Sequence, residues 1–242
     1  MKYKGFVFFL VGCLIFSSSF PARSQSGSGV PGYMRIPIAT FNDDGTLMIG
    51  TGFLPHKHLP YSNFSSDALT VFFNLTFLSF VEVDLRVTRK LNVPSGAHHV
   101  VDRVPTIRFR ILKEKKWMPA VAIGFHDVIT SFEDGTARHF GASYVVATRN
   151  FHLKKLHLVI GTTAGWGANE LIWKNDEFVG PFGGISLSLD HLEWMQLLCD
   201  YDGATINTGV RFTCFKRLFL TAGTMNFDSF AGTVSYRINL IK

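Results

Sequence analysis

Between Val81 and Asp127 the chain alternates apolar and polar residues three times. In VEVDLRV, Glu82, Asp84 and Arg86 separate Val81, Val83, Leu85 and Val87. In TIRFRIL, Arg108 and Arg110 alternate with Ile107, Phe109 and Ile111. In AVAIGFHD, Val121, Ile123 and Phe125 alternate with Ala122, Gly124 and His126. Successive side chains of a strand point to opposite faces, so each segment predicts a strand with one hydrocarbon face and one polar face. The polar face carries full charges of both signs at mid-strand. A soluble sandwich puts such charges in water. A transmembrane barrel puts the hydrocarbon in lipid and the charges in the lumen.

The same alternation recurs along the chain and predicts about twelve strands, with no helical period between them. They are residues 46–54, 70–78, 81–88, 106–112, 120–129, 140–149, 156–165, 184–190, 195–201, 205–213, 218–226 and 232–240. Ile185, Leu187 and Leu189 share one face and Ser186 and Ser188 the other. Ile206, Val210 and Phe212 oppose Asn207 and Arg211, and Val234, Tyr236 and Ile238 oppose Ser235 and Arg237. Connections 55–69, 89–105, 130–139 and 166–183 are long. Those between them, 79–80, 113–119, 150–155, 191–194 and 214–217, are shorter, although 202–204 and 227–230 are short as well. Alternating loop lengths are the mark of a transmembrane barrel with short periplasmic turns and long outer loops. The expectation is an all-β fold: a single transmembrane antiparallel β-barrel, with an even strand count that leaves both termini periplasmic.

Composition agrees. Charged residues make up 17% of the chain, below the usual quarter or so, and mean hydropathy is +0.19. Beyond the N-terminus no apolar run approaches the roughly 20 residues of a helical span. The net charge is +6, but the cations are scattered among strands and turns, which does not suit nucleic-acid binding. Lys2 and Lys4, the apolar run from Gly5 to Phe16 and the exit Ala22-Arg23-Ser24 predict a secretory signal peptide over residues 1–24. Leu10-Val11-Gly12-Cys13 also fits a lipidation site, although Leu14-Ile15-Phe16 continues apolar after it. Residues 25–45 then form an extended N-terminal segment with a flexible start at Gln25–Gly29, and 46–242 the barrel. The expected location is the outer membrane of a Gram-negative cell, in contact with its lipids.

Cys199 and Cys214 remain after cleavage. A hairpin between them sets Cys199 opposite a residue near Asn207, roughly 23 Å from Cys214 at about 3.3 Å per residue. A disulfide needs Cα atoms within about 7 Å, so no bridge is expected.

Six segments together resemble the YjbH family of exopolysaccharide-associated outer-membrane proteins. They are GVPGYMRIPIATFNDDGTLMIGTGF, MPAVAIGFHDVI, FGASYVVATRN, GTTAGWG, GPFGGISL and YDGATINTGVRF. Their order and spacing carry the resemblance, which spans residues 30–237. It implies an outer-membrane barrel, a non-enzymatic role in production or export of surface polysaccharide, and secretion components or anionic polysaccharide as partners. The longest family members carry more than one barrel-like region; this chain has room for one.

The expected lumen collects Glu82, Asp84, Arg86, Arg108, Arg110, His126, Arg149, Asp190, Asp200, Arg211 and Arg237. Two readings compete. Carboxylates on one strand pair with arginines on the next and plug the lumen, as small barrels fill their interiors. Alternatively, surplus guanidiniums bind anionic sugar bidentately, with Arg108, Arg110 and Arg211 as candidates beside Glu82, Asp84 and Arg86. A structural barrel of a larger complex without sugar ligand is the second function reading, and a lipid-modifying enzyme using His126 and a serine the third. No nucleophile motif supports the third. His98-His99 lacks the partner spacing of a metal site, and no cofactor is implied. Gly161–Gly167 and Gly180–Gly184 lack the helix and Gly-Lys ending of a phosphate loop, so their glycines mark close strand approach. Trp166, Trp173, Phe178 and Phe182 are expected as interfacial aromatics. The lysines at 113, 115, 116, 154, 155 and 216, with Arg217, fall in the short turns, where they serve solubility or face anionic headgroups.

Overall fold

A computed structural model of the protein describes residues 24–59, 66–92, 100–128, 140–168 and 177–241. Residues 1–23 of the expected signal peptide, with Cys13 among them, the His98-His99 pair and Trp173 lie outside the described residues.

Twelve strands form one closed antiparallel barrel. They are β1 (Thr46–Leu54), β2 (Ala68–Phe77), β3 (Val81–Lys90), β4 (Val100–Leu112), β5 (Ala120–His126) and β6 (Ala142–Leu153). The ring continues with β7 (Leu158–Gly167), β8 (Gly180–Leu189), β9 (Met195–Tyr201), β10 (Ile206–Cys214), β11 (Leu218–Met225) and β12 (Ser229–Asn239). Each strand pairs with its neighbours in sequence, and β1 closes the ring on β12, where Thr46 faces Asn239 and Phe53 faces Gly232. Closure leaves no exposed sheet edge. The strands expected from alternation are the strands observed. β4, β8 and β12 begin earlier than expected and β5 ends earlier, and the β3–β4 and β4–β5 pairings each carry a register shift, at Thr88/Arg89 and at Arg110/Leu112.

The faces follow the alternation. Val71, Phe73, Val83, Leu85, Val145, Ile185, Leu197 and Val234 stand exposed on the outside. Glu82, Asp84, Arg86, Arg108 and Arg211 are buried inside. Two rims result. The short-turn end carries the β2–β3, β4–β5, β6–β7, β8–β9 and β10–β11 turns, and the long-loop end the remainder. β10 sets Thr208 opposite Cys199, whereas Cys214 pairs with Leu218 at the strand's far end, so register keeps the two sulfurs apart.

The lumen is not filled by strand side chains alone. Residues 24–42, expected to begin flexibly, lie inside the barrel. Gln25, Val30, Ile36, Ala39 and Phe41 are fully buried. The segment folds back on itself through bridges between Gln25 and Pro31 and between Gly32 and Pro37. It then runs to the short-turn end, where the Asn42 amide donates to Glu82 Oε1 at 3.3 Å. Its apolar side chains pack on a lumen patch made by Ala120, Ala122, Ala142, Tyr144, Val146 and Leu198. Small residues on β5 and β6 make the room. A flexible start is what small polar residues suggest in water. Inside the closed barrel, Ser24, Ser26 and Ser28 find hydrogen-bond partners on Ser235, Val30 and Arg35.

Three lumen glycines each lie beneath an aromatic ring on the neighbouring strand, in register: Gly50 under Phe72, Gly124 under Tyr144, Gly165 under Phe182. A Cβ at any of the three would collide with the ring. Close approach, not phosphate binding, explains the glycine-rich strand β7. It also explains why Phe182 is buried, not interfacial. Phe178 is buried too, packed edge-on to Tyr144 at 5.5 Å and to His126 at 5.6 Å. Trp166 alone of the described set stands exposed at a strand end.

Candidate functional site in the lumen and above it

β3 and β4 place five of the six candidate residues, Glu82, Asp84, Arg86, Arg108 and Arg110, on one sector of the wall. Glu82 and Arg108 are register partners. Arg108 Nη1 donates to Glu82 Oε2 at 2.7 Å, with both side chains fully buried. Glu82 Oε1 also accepts from the Thr76 hydroxyl at 3.1 Å. Asp84 accepts from Asn74 Nδ2 at 2.5 Å. The Arg86 guanidinium lies 4.0 Å from the centre of the Phe140 ring, a cation–π contact. The second Arg108 Nη donates to the carbonyl of Ile38 in the lumen segment.

Arg211 stands on the opposite wall, since β10 is six strands round the ring from β4. Its Nη2 donates to the carbonyls of Gly32 at 2.7 Å and Tyr33 at 3.1 Å. Nearby, Asp200 on β9 accepts the amides of Met34 at 2.6 Å and Arg35 at 3.0 Å. Thr148 on β6 accepts the Ala39 amide at 2.8 Å. The wall thus uses charges of both signs on one segment: arginines for carbonyls, a carboxylate for amides. The segment pairs only part of its backbone with itself, as in Ser26 with Val30 and Tyr33 with Ile36, and a buried unpaired group costs about 1–3 kcal/mol. The lumen charges meet that need. Arg110 is half-buried near the short-turn end, 5.6 Å from the Phe41 ring.

Two residues of the expected lumen set lie elsewhere. Thr148 points inward, so Arg149 next to it points out, where it donates to the carbonyls of Lys116 at 3.0 Å and Trp117 at 3.4 Å. Asp190 is exposed in the β8–β9 turn, 3.6 Å from His157. His126 is inside. Its Nε2 and the Tyr144 hydroxyl are 3.2 Å apart, and its Nδ1 is 3.8 Å from Glu177.

At the long-loop end the described residues leave a cleft of about 310 Å³. Arg35, at the turn of the lumen segment, forms its floor. Arg35 is held by Glu177 at 2.9 Å and Asp202 at 3.4 Å. Asp202 also accepts the Thr205 amide at 2.7 Å and the Ala204 amide at 3.0 Å. Burial pushes the Asp202 carboxyl up, but Arg35 and these donors outweigh it and hold it below the usual carboxylate value. Phe140, Phe178 and His58 complete the lining. With its charges paired, the cleft offers fixed donors and acceptors beside aromatic rings. Sequence reading did not single out Arg35, Glu177 or Asp202. The one available signal was a lone arginine in an apolar, proline-flanked segment, which must find carboxylates once buried.

A closed barrel with an apolar exterior and a lumen occupied by its own N-terminal segment defines a plugged β-barrel. The family model for the exopolysaccharide biosynthesis protein YbjH matches residues 24–223. The chain belongs to the YjbH family. The match begins with the lumen segment, so that segment is part of the family pattern together with the strands. Among curated proteins no match is found.

Proposed function

We propose that the protein is a non-enzymatic outer-membrane barrel that supports exopolysaccharide production or export, delivered to the outer membrane of a Gram-negative cell by its cleaved leader. The observation that carries the membrane reading is the inverted barrel. Val71, Phe73, Val83 and Leu85 are exposed outside while Glu82, Asp84 and Arg86 on the same hairpin are buried inside. In water that arrangement would expose a large apolar surface; in lipid the same surface faces hydrocarbon. The family assignment supports the polysaccharide role. The cleft at the long-loop end is the place for saccharide contact, since its neutralised charges and aromatic faces suit hydroxyl-rich rings.

A second reading has its own support. Arg108 and Arg211 are engaged by the lumen segment, which favours an accessory barrel of a larger complex without a sugar ligand. Deleting the gene in its native cell and measuring secreted polysaccharide, beside membrane fractionation of the protein, tests the proposal. Loss of polymer with the protein in the outer membrane is expected. Unchanged polymer, or a soluble protein, would overturn it. Arg35→Ala separates the two readings: reduced polymer with normal barrel assembly supports saccharide contact, and unchanged polymer supports the accessory barrel.

A further inference from the structure

The short-turn rim carries a cationic sector that spans two adjoining turns. Lys113, Lys115 and Lys116 lie in the β4–β5 turn, and Lys154 and Lys155 in the β6–β7 turn. All five are exposed. The two turns adjoin because β5 pairs with both β4 and β6. Arg149 fixes them together: it projects outward from β6 and donates to the carbonyls of Lys116 and Trp117. The carboxylate within these turns, Glu114, is occupied by the Asn150 amide at 2.7 Å and the Asn150 side chain at 2.8 Å. At the long-loop end Lys57 and His58 face Asp228 and His56 faces Asp67, while Arg89 and Arg103 stand exposed on the strands β3 and β4 and not in turns.

Beside these cations stands exposed hydrocarbon. Trp117 is 78% exposed and Leu156 66%, with Leu112, Met118, Phe151 and Leu153 also exposed. Lysines kept soluble for their own sake need no apolar neighbours. Cations bordering an apolar band match the boundary between headgroups and acyl chains, where aromatic side chains also gather.

We propose that this sector is a binding site for an anionic phospholipid, with the phosphate held by the lysines of the two turns and Arg149, and the acyl chains against Trp117 and Leu156. The site rests on the membrane reading above. It also orients the barrel, placing the short-turn end at the leaflet that carries anionic phospholipid.

The test uses the full chain, leader removed, reconstituted in bilayers of mixed phosphatidylglycerol and phosphatidylcholine, with the lipids that stay bound after mild detergent extraction quantified. The wild type is expected to retain phosphatidylglycerol over phosphatidylcholine by about tenfold or more, and added salt to weaken that preference. The variant with lysines 113, 115, 116, 154 and 155 changed to Gln is expected to lose it while keeping the heat-modifiable gel mobility of a folded barrel. Lys154→Gln/Lys155→Gln, which leaves the other turn intact, is expected to lose part of it. Equal retention of both lipids by the wild type, or undiminished preference in the five-lysine variant, overturns the site while leaving the membrane reading intact. Loss of a co-purifying acidic protein instead of lipid preference overturns it in favour of a protein partner. Failure of the wild type to enter bilayers at all overturns the membrane reading, and the site with it.

Discussion

Arg211 and Tyr33 join the barrel wall to the segment inside it: the guanidinium donates to the Tyr33 carbonyl at 3.1 Å and, through the same nitrogen, to that of Gly32 at 2.7 Å. Arg211→Met would leave two buried carbonyls without these donors. Hydrogen bonds to a charged group contribute about 1.5–3 kcal/mol each, so a loss of about 3–6 kcal/mol is expected in the unfolding free energy in micelles. Arg211→Lys should recover only part, because an ammonium cannot reproduce the planar fork. Equal stability of Arg211→Met and wild type would show that the contact contributes nothing.

The lumen segment as a whole predicts a conductance phenotype. Its contacts reach β3, β4, β6, β9 and β10 and cross the interior from the long-loop end to the short-turn end. A chain lacking residues 25–41 but keeping its leader should still close into a barrel, because every strand pairing lies in residues 46–239. In planar bilayers it should show discrete ion-conducting steps where the wild type stays closed. Indistinguishable traces would mean that the segment does not seal the lumen.

The barrel was legible in the sequence because its outer and inner faces impose one period. Wherever apolar outward and polar lumen-facing positions alternate, as at Val83–Asp84–Leu85–Arg86, the strand and its inward face can be read directly. The lumen segment was not legible for the converse reason. Met34, Ile36 and Ile38 do alternate, but Pro31, Gly32 and Pro37 break the run, and their partners, such as Ala122 and Leu198, are far off in sequence. Arg149 was misplaced because charge marks the lumen only near the middle of a membrane strand. At the rim a cation can face out at little cost. Glu82 with Arg108 could be paired from adjacent strands, whereas Arg35 with Glu177 and Asp202 joins three distant segments and needs the fold.

The Glu82–Arg108 pair separates charge from packing. Both side chains are fully buried and 2.7 Å apart. Arg108→Met alone leaves a buried carboxylate without its counter-ion, and removal of one partner of such a pair costs about 3–5 kcal/mol. The double variant Glu82→Gln/Arg108→Met removes both charges and should recover a large part of that loss. A double-mutant cycle on unfolding midpoints checks this; additive losses would mean the two residues do not act as a pair.

Gly124 and Tyr144 test the packing of rings over glycines. Gly124→Ala places a methyl group against the Tyr144 ring, and the ring is boxed in by Phe178 and Phe182 at 5.5 and 6.0 Å. Overpacking of this kind costs about 1–3 kcal/mol. Tyr144→Leu combined with Gly124→Ala should relieve it. An unchanged unfolding midpoint for Gly124→Ala would show that the ring has room to move.

Asp228 gives the pH prediction. It accepts from the Ser229 hydroxyl at 2.7 Å and contacts His58 at 3.1 Å, tying the loop after β1 to the β11–β12 turn. The Ser229 hydroxyl first, then His58, holds the carboxyl at about 2 against an ordinary 3.8. A carboxyl depressed on folding favours the closed loop above its ordinary value, and the effect is lost as pH falls through the depressed one. The amides of His58 and Leu59, which donate to Pro55 and His56, should therefore stay protected from hydrogen exchange down to about pH 4 and lose protection between about pH 4 and pH 2. Asp228→Asn should weaken that protection at neutral pH and flatten the acid transition. A transition centred well above pH 4 in the wild type, or one unchanged in Asp228→Asn, would assign the loop's acid response to another group.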